Sequence, residues 1–373
     1  MPKWNDRIAR TTYRFMRVSR ETGQEIEAIR SLQGGRITRN DDTRIKESAE
    51  TRVVGDVDFG PDLVRVHMTC EWPGETSDVV LGTFLPVIPG RSVRPGYSTS
   101  TMKMYGRLQE LMDDQFSEVI TVEKGDNAVA KVREVCEAAG LEVVADESDY
   151  TVTNTRAYGL GADTNNSAIG DTKLDMVNDL LDLAGFRAAF TDPMGRVILR
   201  KYSDPADIAP SWSFIEGPSA KFEGSIEEER DYTNAANHVL VLYGPDEKGK
   251  KVVGEAWDKD PDSPISTVSR GRTITRSYTY NELPPGKTDG EMLEYANKRA
   301  QTLLATAQSV IWRVRMRHAY APITVNDTAE ISFPSGGVSG KFQVRAQTLE
   351  LGGGCPTSTE MRVFKRRTAW TRA

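Results

Sequence analysis

Three histidines in 373 residues limit the acid–base and metal chemistry open to this chain. His67 falls on the polar side of an alternating segment, His238 follows Asn237 at the start of an apolar run, and His318 ends another segment. Each reads as a surface or packing residue. The cysteines, Cys70, Cys136 and Cys355, are odd in number and lie in unrelated contexts without a CxxC pair, so they read as reduced thiols. Asp258-x-Asp260-x-Asp262 has the spacing that opens a calcium loop, but the glycine needed at its sixth position is Ser263 and the glutamate at its twelfth is Ser269. It reads as a solvated acidic turn. Glu227-Glu-Glu-Arg-Asp231 offers adjacent carboxylates of the kind that hydrolyse glycosides, with no aromatic cleft signature beside it. Gly352-Gly-Gly-Cys355 is glycine-rich, yet no amphipathic helix follows to make it a phosphate cradle, so it reads as a loose hairpin tip. No nucleophile elbow, zincin, P-loop or dinucleotide motif occurs. The expectation is no enzyme: no catalytic residue, no cofactor-binding residue, no metal ligand and no cofactor.

Composition narrows the class further. Hydrophobic residues make up 38% of the chain, and mean hydropathy is −0.48. No run approaches the length of a membrane-spanning helix, and the start Met1-Pro-Lys-Trp-Asn lacks the apolar core of a secretory signal. A soluble protein made in a cytoplasm, with no membrane insertion, is expected. The 54 acidic residues outnumber 48 basic ones, for a net charge of −6, which argues against a broad grip on a phosphate backbone. A conduit for DNA is compatible with such a balance, because a cationic wall would hold the polyanion. The notable cationic clusters are Arg313, Arg315 and Arg317 on one side of a strand, and Lys365-Arg-Arg367. The former suit a solvated face or a contact with carboxylates of a neighbouring subunit.

The elements that must carry these residues are mainly strands. Tyr13–Ser19 and Ile26–Leu32 flank Glu21-Thr-Gly-Gln, a hairpin signal, and Arg36–Arg39 leads into the turn Asn40-Asp41-Asp42. Over Leu63–Trp72 the alternation is strict: Val64, Val66, Met68, Cys70 and Trp72 face a core, while Arg65, His67, Thr69 and Glu71 face water. Pro73-Gly74 ends that strand, and Val79–Leu85 returns beside it. A small β-barrel or sandwich over roughly 8–105 follows.

The period then changes. Asp126 precedes Val129, Val132, Cys136, Ala139, Gly140 and Leu141; Asp171 precedes Leu174, Val177, Leu181, Ala184, Gly185 and Phe186. All seven positions match at one offset (171 − 126 = 45). Each set is one helical face closed by a glycine able to adopt the left-handed stop. Each helix feeds short strands (Leu141–Val144; Phe186–Phe190 and Arg196–Leu199), with the polar loop Gly159–Asp171 between the units. An α/β insert over 106–203 is expected. The Pro- and Ser-rich stretch Lys201–Pro218 reads as a linker to a second β-barrel over 204–373. There Thr288-x-x-Glu291 is a capping box. It opens a helix with Leu293, Ala296, Ala300, Leu303 and Ala307 on one face, suited to lie as a strut over a barrel. The fold class is α+β, mainly β: two β-barrel-like domains with an α/β insert between them.

The order of parts over Glu229–Arg367 resembles the second barrel of bacteriophage tail and baseplate hub proteins. It runs Glu229-Arg-Asp-Tyr-Thr-Asn-Ala-Ala-Asn237, His238-Val-Leu-Val-Leu-Tyr-Gly244, the excursion Trp257–Pro264, a helix, the alternating Ile311–His318, Ile323–Ile331, Gly340–Arg345 and Met361–Arg367. Gly35–Ala49 with Val80-Leu-Gly-Thr-Phe-Leu-Pro86 resembles the first barrel, and Ala139-Gly140-Leu141 with Leu180–Gly185 the arm between them. The resemblance implies a homotrimeric ring in the virion tail that closes the tail tube. Its partners would be the distal tail or tail tube protein, a tip fibre or spike protein and the tape-measure protein, with DNA passing through unbound. It also leaves receptor binding or wall degradation to other polypeptides, since no fibre, peptidase or lysozyme extension is read here. A carbohydrate-binding module is the competing reading, against which the six tryptophans are scattered along the chain. A peptidoglycan-degrading tail enzyme is the third.

Overall fold

The computed structural model describes residues 4, 6, 8, 10–31, 34–55, 57–159, 172–203, 207–230, 235–246, 248–284, 286, 288–309 and 312–363. Most of the loop Gly159–Asp171, the Lys365-Arg-Arg367 cluster, Ile311, Trp370 and Asp231–Asn234 lie outside these residues.

The first region consists of β1 (Arg10–Val18), β2 (Glu25–Ile29), β3 (Arg36–Asn40), β4 (Glu47–Val54), β5 (Leu63–Trp72), β6 (Glu75–Arg94) and β7 (Tyr97–Gly106). The insert follows with α1 (Leu108–Asp113), β8 (Ile120–Val122), α2 (Ala128–Ala138), β9 (Val143–Ala145), β10 (Arg156–Tyr158), α3 (Lys173–Leu183), β11 (Phe190–Thr191) and β12 (Val197–Leu199). Then come β13 (Trp212–Ile215), β14 (Phe222–Arg230), β15 (His238–Tyr243), β16 (Val252–Trp257), α4 (Thr267–Arg270), β17 (Thr275–Tyr280) and α5 (Asp289–Ser309). The chain closes with β18 (Trp312–His318), β19 (Thr328–Phe333), β20 (Val338–Glu350) and β21 (Thr357–Val363). The fold is mainly β with an α/β insert.

One thirteen-stranded sheet unites the two β regions in the order β14-β18-β21-β20-β3-β4-β7-β6-β5-β1-β2, with β19 and β13 branching from β20. The seam is β20 against β3, from Ala346 opposite Asn40 to Glu350 opposite Arg36. The first region curls far enough that Ser31, just past β2, bridges back to Val53 of β4. Two cores line the sheet. One gathers Phe15, Ile37, Val66, Met68, Leu81, Phe84, Met102 and Leu349; the other gathers Phe214, Val314, Ile331, Phe342, Val344 and Met361. Such burial supplies roughly 1.5–3 kcal/mol per large apolar side chain.

Leu63–Trp72 forms the expected strand, but its polar face is not wet. Arg65 and His67 are each only 7% exposed. The hairpin partner β2 flares over them, and Arg65 donates to Thr83 Oγ1 (3.1 Å) and Glu25 Oε1 (3.3 Å). Alternation reported which side faces the apolar core; it carried no information about what would cover the other.

In the insert the helices start one residue later than the aspartates suggest, at caps Asn127 and Thr172, and end at Ala139 and Ala184. The offset of 45 survives (172 − 127 = 184 − 139 = 45). It extends to hydrogen bonding: Leu141 N donates to Cys136 O, as Phe186 N does to Leu181 O. Gly140 and Gly185 take φ of 76° and 74°, the left-handed stop that a side chain would strain. The helices pack together over a core with Leu141, Phe186, Val197 and Leu199. Parallel β9 and β12 lie side by side.

Two further expectations change. The linker Lys201–Pro218 contains β13, parallel to β19 from Trp212 opposite Ala329 onward, so a stretch rich in turn formers still contributes a strand. The capped helix α5 is not a strut over a barrel. It covers a separate three-stranded sheet, β16-β15-β17, with Ala296, Ala300, Leu304 and Ala307 buried and Leu293 46% exposed. The alanines matter sterically. A Cβ on Gly254 would stand 2.3 Å from the Ala296 carbonyl carbon, so helix and strand meet backbone to backbone. The segment Ile323–Ile331 also begins as a turn, with Asn326 at φ 73°, before β19 starts at Thr328.

Candidate assembly surfaces and internal joints

The residues singled out for chemistry are dispersed and engaged in structure. His67 is clamped between Glu25 Oε1 (2.8 Å) and Asp78 Oδ2 (2.7 Å), joining β2, β5 and β6. Asp78 also accepts from Thr69 (2.7 Å) and Arg14 (3.0 Å). His238 stacks on Trp257 with centroids 3.6 Å apart. His318 Nδ1 donates to the Ala319 carbonyl (2.6 Å), and its Nε2 lies 2.7 Å from Thr359 Oγ1. Burial holds the His318 imidazole down at about 4, so it is neutral at physiological pH. Cys70, Cys136 and Cys355 are free and buried, and burial pushes their thiols up, to about 12, 12 and 11. Such thiols are poor nucleophiles. No group of three or more metal-binding side chains occurs among the described residues. Nor is any helix among them long and apolar enough to cross a membrane.

The acidic turn at Asp258 is not solvated. Asp258 is 1% exposed and accepts from Ser263 Oγ (2.9 Å) and Gln308 Nε2 (2.9 Å), tying the loop to the end of α5. The glycine tip is not loose either. Thr11 Oγ1 (3.0 Å) and Tyr13 OH (2.8 Å) donate to Gly352 O, which pins the β20–β21 turn to β1. The carboxylates of β14 are built into the sheet. They stand across from the arginines of β18, Glu227 opposite Arg315 and Glu229 opposite Arg313. Arg315 further pairs with Glu360 (3.0 Å) and Arg317 with Glu223 (3.4 Å). The alternating arginines are thus matched by carboxylates of their own chain. Trp4, Trp72 and Tyr320, distant in sequence, do meet, with Trp4 centroids 5.2 Å from Trp72 and 5.3 Å from Tyr320. Trp72 and Tyr320 are buried, so this is packing beside a cleft of about 920 Å³ and not an open sugar platform.

What the structure adds are polar joints. At the first, Arg345 reaches Asp41 Oδ2 (2.5 Å) and Asp42 Oδ1 (2.6 Å), and Arg362 reaches Asp42 Oδ2 (2.7 Å). Burial works against the charge on Asp42, but the two guanidiniums hold its carboxyl below the usual range. Asn326 donates to Asp41 (2.9 Å) and accepts from Arg187 of the insert (2.8 Å). The β3–β4 turn therefore clamps both β regions and the insert together. A buried chain runs beside it: Arg39 donates to Leu81 O (2.6 Å) and Gln347 (3.4 Å), and Gln347 reaches Thr359 (3.5 Å).

The second joint is Glu282, fully buried just after β17. It accepts from Thr153 N (2.9 Å), Thr153 Oγ1 (3.1 Å), Tyr150 OH (3.3 Å) and Arg156 Nη1 (3.0 Å). Arg156 also pairs with Asp179 (2.7 Å). Arg299 of α5 bonds Tyr280 OH (2.9 Å) and pairs with Asp182 of α3. These residues bind the α5 lobe to the insert. Neither joint is marked in the sequence, where Asn40-Asp41-Asp42 reads as a turn and nothing distinguishes Glu282.

A third contact is pH-sensitive. Glu47 of β4 is 7% exposed, accepts from Thr191 Oγ1 of β11 (2.6 Å), and has Arg39 and Asp192 as charged neighbours. Burial pushes its carboxyl up to about 7, against the Thr191 bond and the Arg39 charge. A folded pKa above the unfolded one gives stability that is full in acid and lost as pH rises through about 7. His318, depressed, acts in the opposite sense below its unfolded pKa. The difference between variant and parent isolates Glu47. Glu47→Gln is expected to gain on the parent by roughly 2–3 kcal/mol between pH 5 and pH 8, read by urea unfolding at each pH.

No protein-family profile and no curated protein matches this sequence. Solved structures do match the fold, along nearly the whole chain. The tail protein from Neisseria meningitidis MC58 superposes with a TM-score of 0.66 at 11% identity, covering 94% of this chain and 96% of that one. The 43 kDa tail protein of prophage MuSo2 from Shewanella oneidensis gives 0.59 at 11% identity, covering 94% and 98%. Prophage tail protein gp18 from Listeria monocytogenes EGD-e gives 0.56 at 10% identity, covering 95% of each. The chain has the fold of these phage tail proteins.

Proposed function

We propose that this chain is a structural subunit of a phage-type tail, a baseplate or tail-tip hub, without catalytic activity of its own. The observation that carries the reading is the end-to-end match to tail proteins by a fold whose two β regions share one sheet, braced by an insert. Three copies would form a ring of six barrel-like units that closes the tail tube and joins it to a tip fibre or spike. The division is a first β domain over 8–105, the insert over 106–203 and a second over 204–373. DNA and the tape-measure protein would pass through its channel. The matched charges on β18 and β21 suit such a wall, because Arg313, Arg315, Arg317 and Arg362 each have a carboxylate beside or opposite them and little net positive charge remains there to retain DNA. Assembly would take place in the host cytoplasm and the product would reside in the virion tail.

The test is mass and shape in solution. Light scattering at micromolar concentration is expected to approach three times 41.4 kDa, with rings bearing a central hole in negative-stain images. A species that remains monomeric at high concentration and shows no ring would overturn this reading. So would sub-micromolar, salt-sensitive DNA binding in a gel shift, since it would mark a cationic groove and not a conduit.

A further inference from the structure

The β6–β7 hairpin outgrows the sheet that bears it. β5 accompanies β6 only as far as Phe84, and β4 accompanies β7 only from Thr99 onward. Gly90–Arg94 runs beside Tyr97–Thr101, and among the described residues no third strand borders β6 past Phe84 or β7 before Thr99. Every residue from Gly90 to Tyr97 is exposed, Val93 at 62% and Tyr97 at 47%. Folding alone gives no reason to hold two large apolar side chains in water on a projecting arm. The charge is equally uneven. No aspartate or glutamate occurs from Val79 to Gln109, while Arg91 and Arg94 lie on the arm, in a chain whose net charge is −6. A basic, part-apolar arm on an acidic body is complementary to that body.

The matching surface lies at one end of the large sheet. Among the described residues β2 pairs with no strand but β1, and Glu21–Ala28 is exposed throughout, including Ile26 at 56%. Glu25 is held by Arg65 and His67, but the Glu27 side chain is 63% exposed and only loosely paired with Arg17, at 3.5 Å. At the opposite end of the sheet, Glu227 and Glu229 of β14 stand across from Arg315 and Arg313 of β18, so those acids have basic partners within the sheet. An open edge with alternating acidic and apolar residues is a template for strand addition.

We propose that the β6–β7 arm docks on β2 of a second copy of this chain, with Arg91 and Arg94 against Glu21 and Glu27 and Val93 beside Ile26. This inference rests on the ring reading above and names the contact that builds it. Arm and β2 are different patches, so the contact is head-to-tail and propagates around a closed ring.

The experiment uses the full chain and light scattering at a concentration where the parent is trimeric. Arg91→Glu with Arg94→Glu is expected to lower the mass about threefold, to the monomer. Adding Glu21→Arg and Glu27→Arg to that reversed arm is expected to restore the trimer. All four positions are exposed, and a parent-like far-UV circular dichroism spectrum with a single cooperative melting transition verifies that the fold is kept even where loss of association lowers the melting temperature. A parent ring that the reversed arm leaves intact, or a loss that the second reversal fails to restore, overturns the arm contact while the hub reading stands. A parent that never assembles overturns both. DNA binding by the parent that the reversed arm abolishes would assign the arm to a polyanion and overturn the protein contact.

Discussion

Replacing Glu282 by alanine is expected to destabilise the folded chain by about 3–5 kcal/mol, the usual cost of removing one partner of a buried ion pair. The cost arises from what is left behind. Arg156 would lose its innermost partner, and the Thr153 amide, its hydroxyl and the Tyr150 hydroxyl would lose the oxygen they share. Glu282→Gln keeps an acceptor for some of these donors and is expected to cost less. Because Glu282 binds the α5 lobe to the insert, hydrogen exchange in β15 and α5 should accelerate in the alanine variant more than exchange in β5. Urea unfolding gives the total loss and exchange locates it. A variant as stable as the parent would mean that the Arg299–Asp182 pair and the bonds of Thr153 to Leu283 O and Asn154 to Asn281 O hold the joint unaided.

Met68→Ala is expected to cost about 2–5 kcal/mol, because a fully buried side chain beside Val66 and Phe84 leaves a cavity that a β-sheet core closes poorly. Its neighbour Arg65 points to the opposite face, where alternation alone promises almost no effect. The structure changes that expectation: Arg65→Ala removes a donor from Thr83, which keeps its bond to Pro193 O, and one bond of Glu25 beneath β2, for roughly 1–3 kcal/mol. The two variants measured side by side report both faces of β5. A null result at Arg65 would show that β2 does not cover it in solution.

The contrast at β5 illustrates what this sequence makes legible. Its ends are readable because strict alternation stops at Pro73-Gly74, both of them local signals. The insert helices are readable for the same reason, through a 3.6-residue period, a glycine stop and a repeat. Contacts between distant segments are not. Nothing near Glu25 shows that it will cap His67, and nothing near Gln347 shows that it will lie opposite Arg39. β13 escaped notice because its parallel partner β19 lies over a hundred positions later and its own neighbours are turn formers. For the site, the scatter of the three histidines along the chain could be read from residue types alone. The joints at Asp41-Asp42 and Glu282 could not, since single carboxylates acquire their role only from arginines brought in by the fold. Likewise nothing near Arg313, Arg315 and Arg317 shows that carboxylates of β14 and β21 will stand beside them.

The seam between β3 and β20 imposes an order on synthesis. Asn40 leaves the ribosome 306 residues before Ala346, the residue it must face (346 − 40 = 306). At about 5–20 residues per second the first β region waits roughly 15–60 s with the β3 edge unmatched. For that interval Ile37 has no Leu349 opposite it, and a bare strand edge is a hazard for wrong pairing. The insert has local pairings and its own core, so it can fold while the seam is still open. Completion of the large sheet therefore waits until β20 has been made, and a nascent chain cut before β20 lacks the partner of β3. The seam thereby acts as a completeness check on each copy.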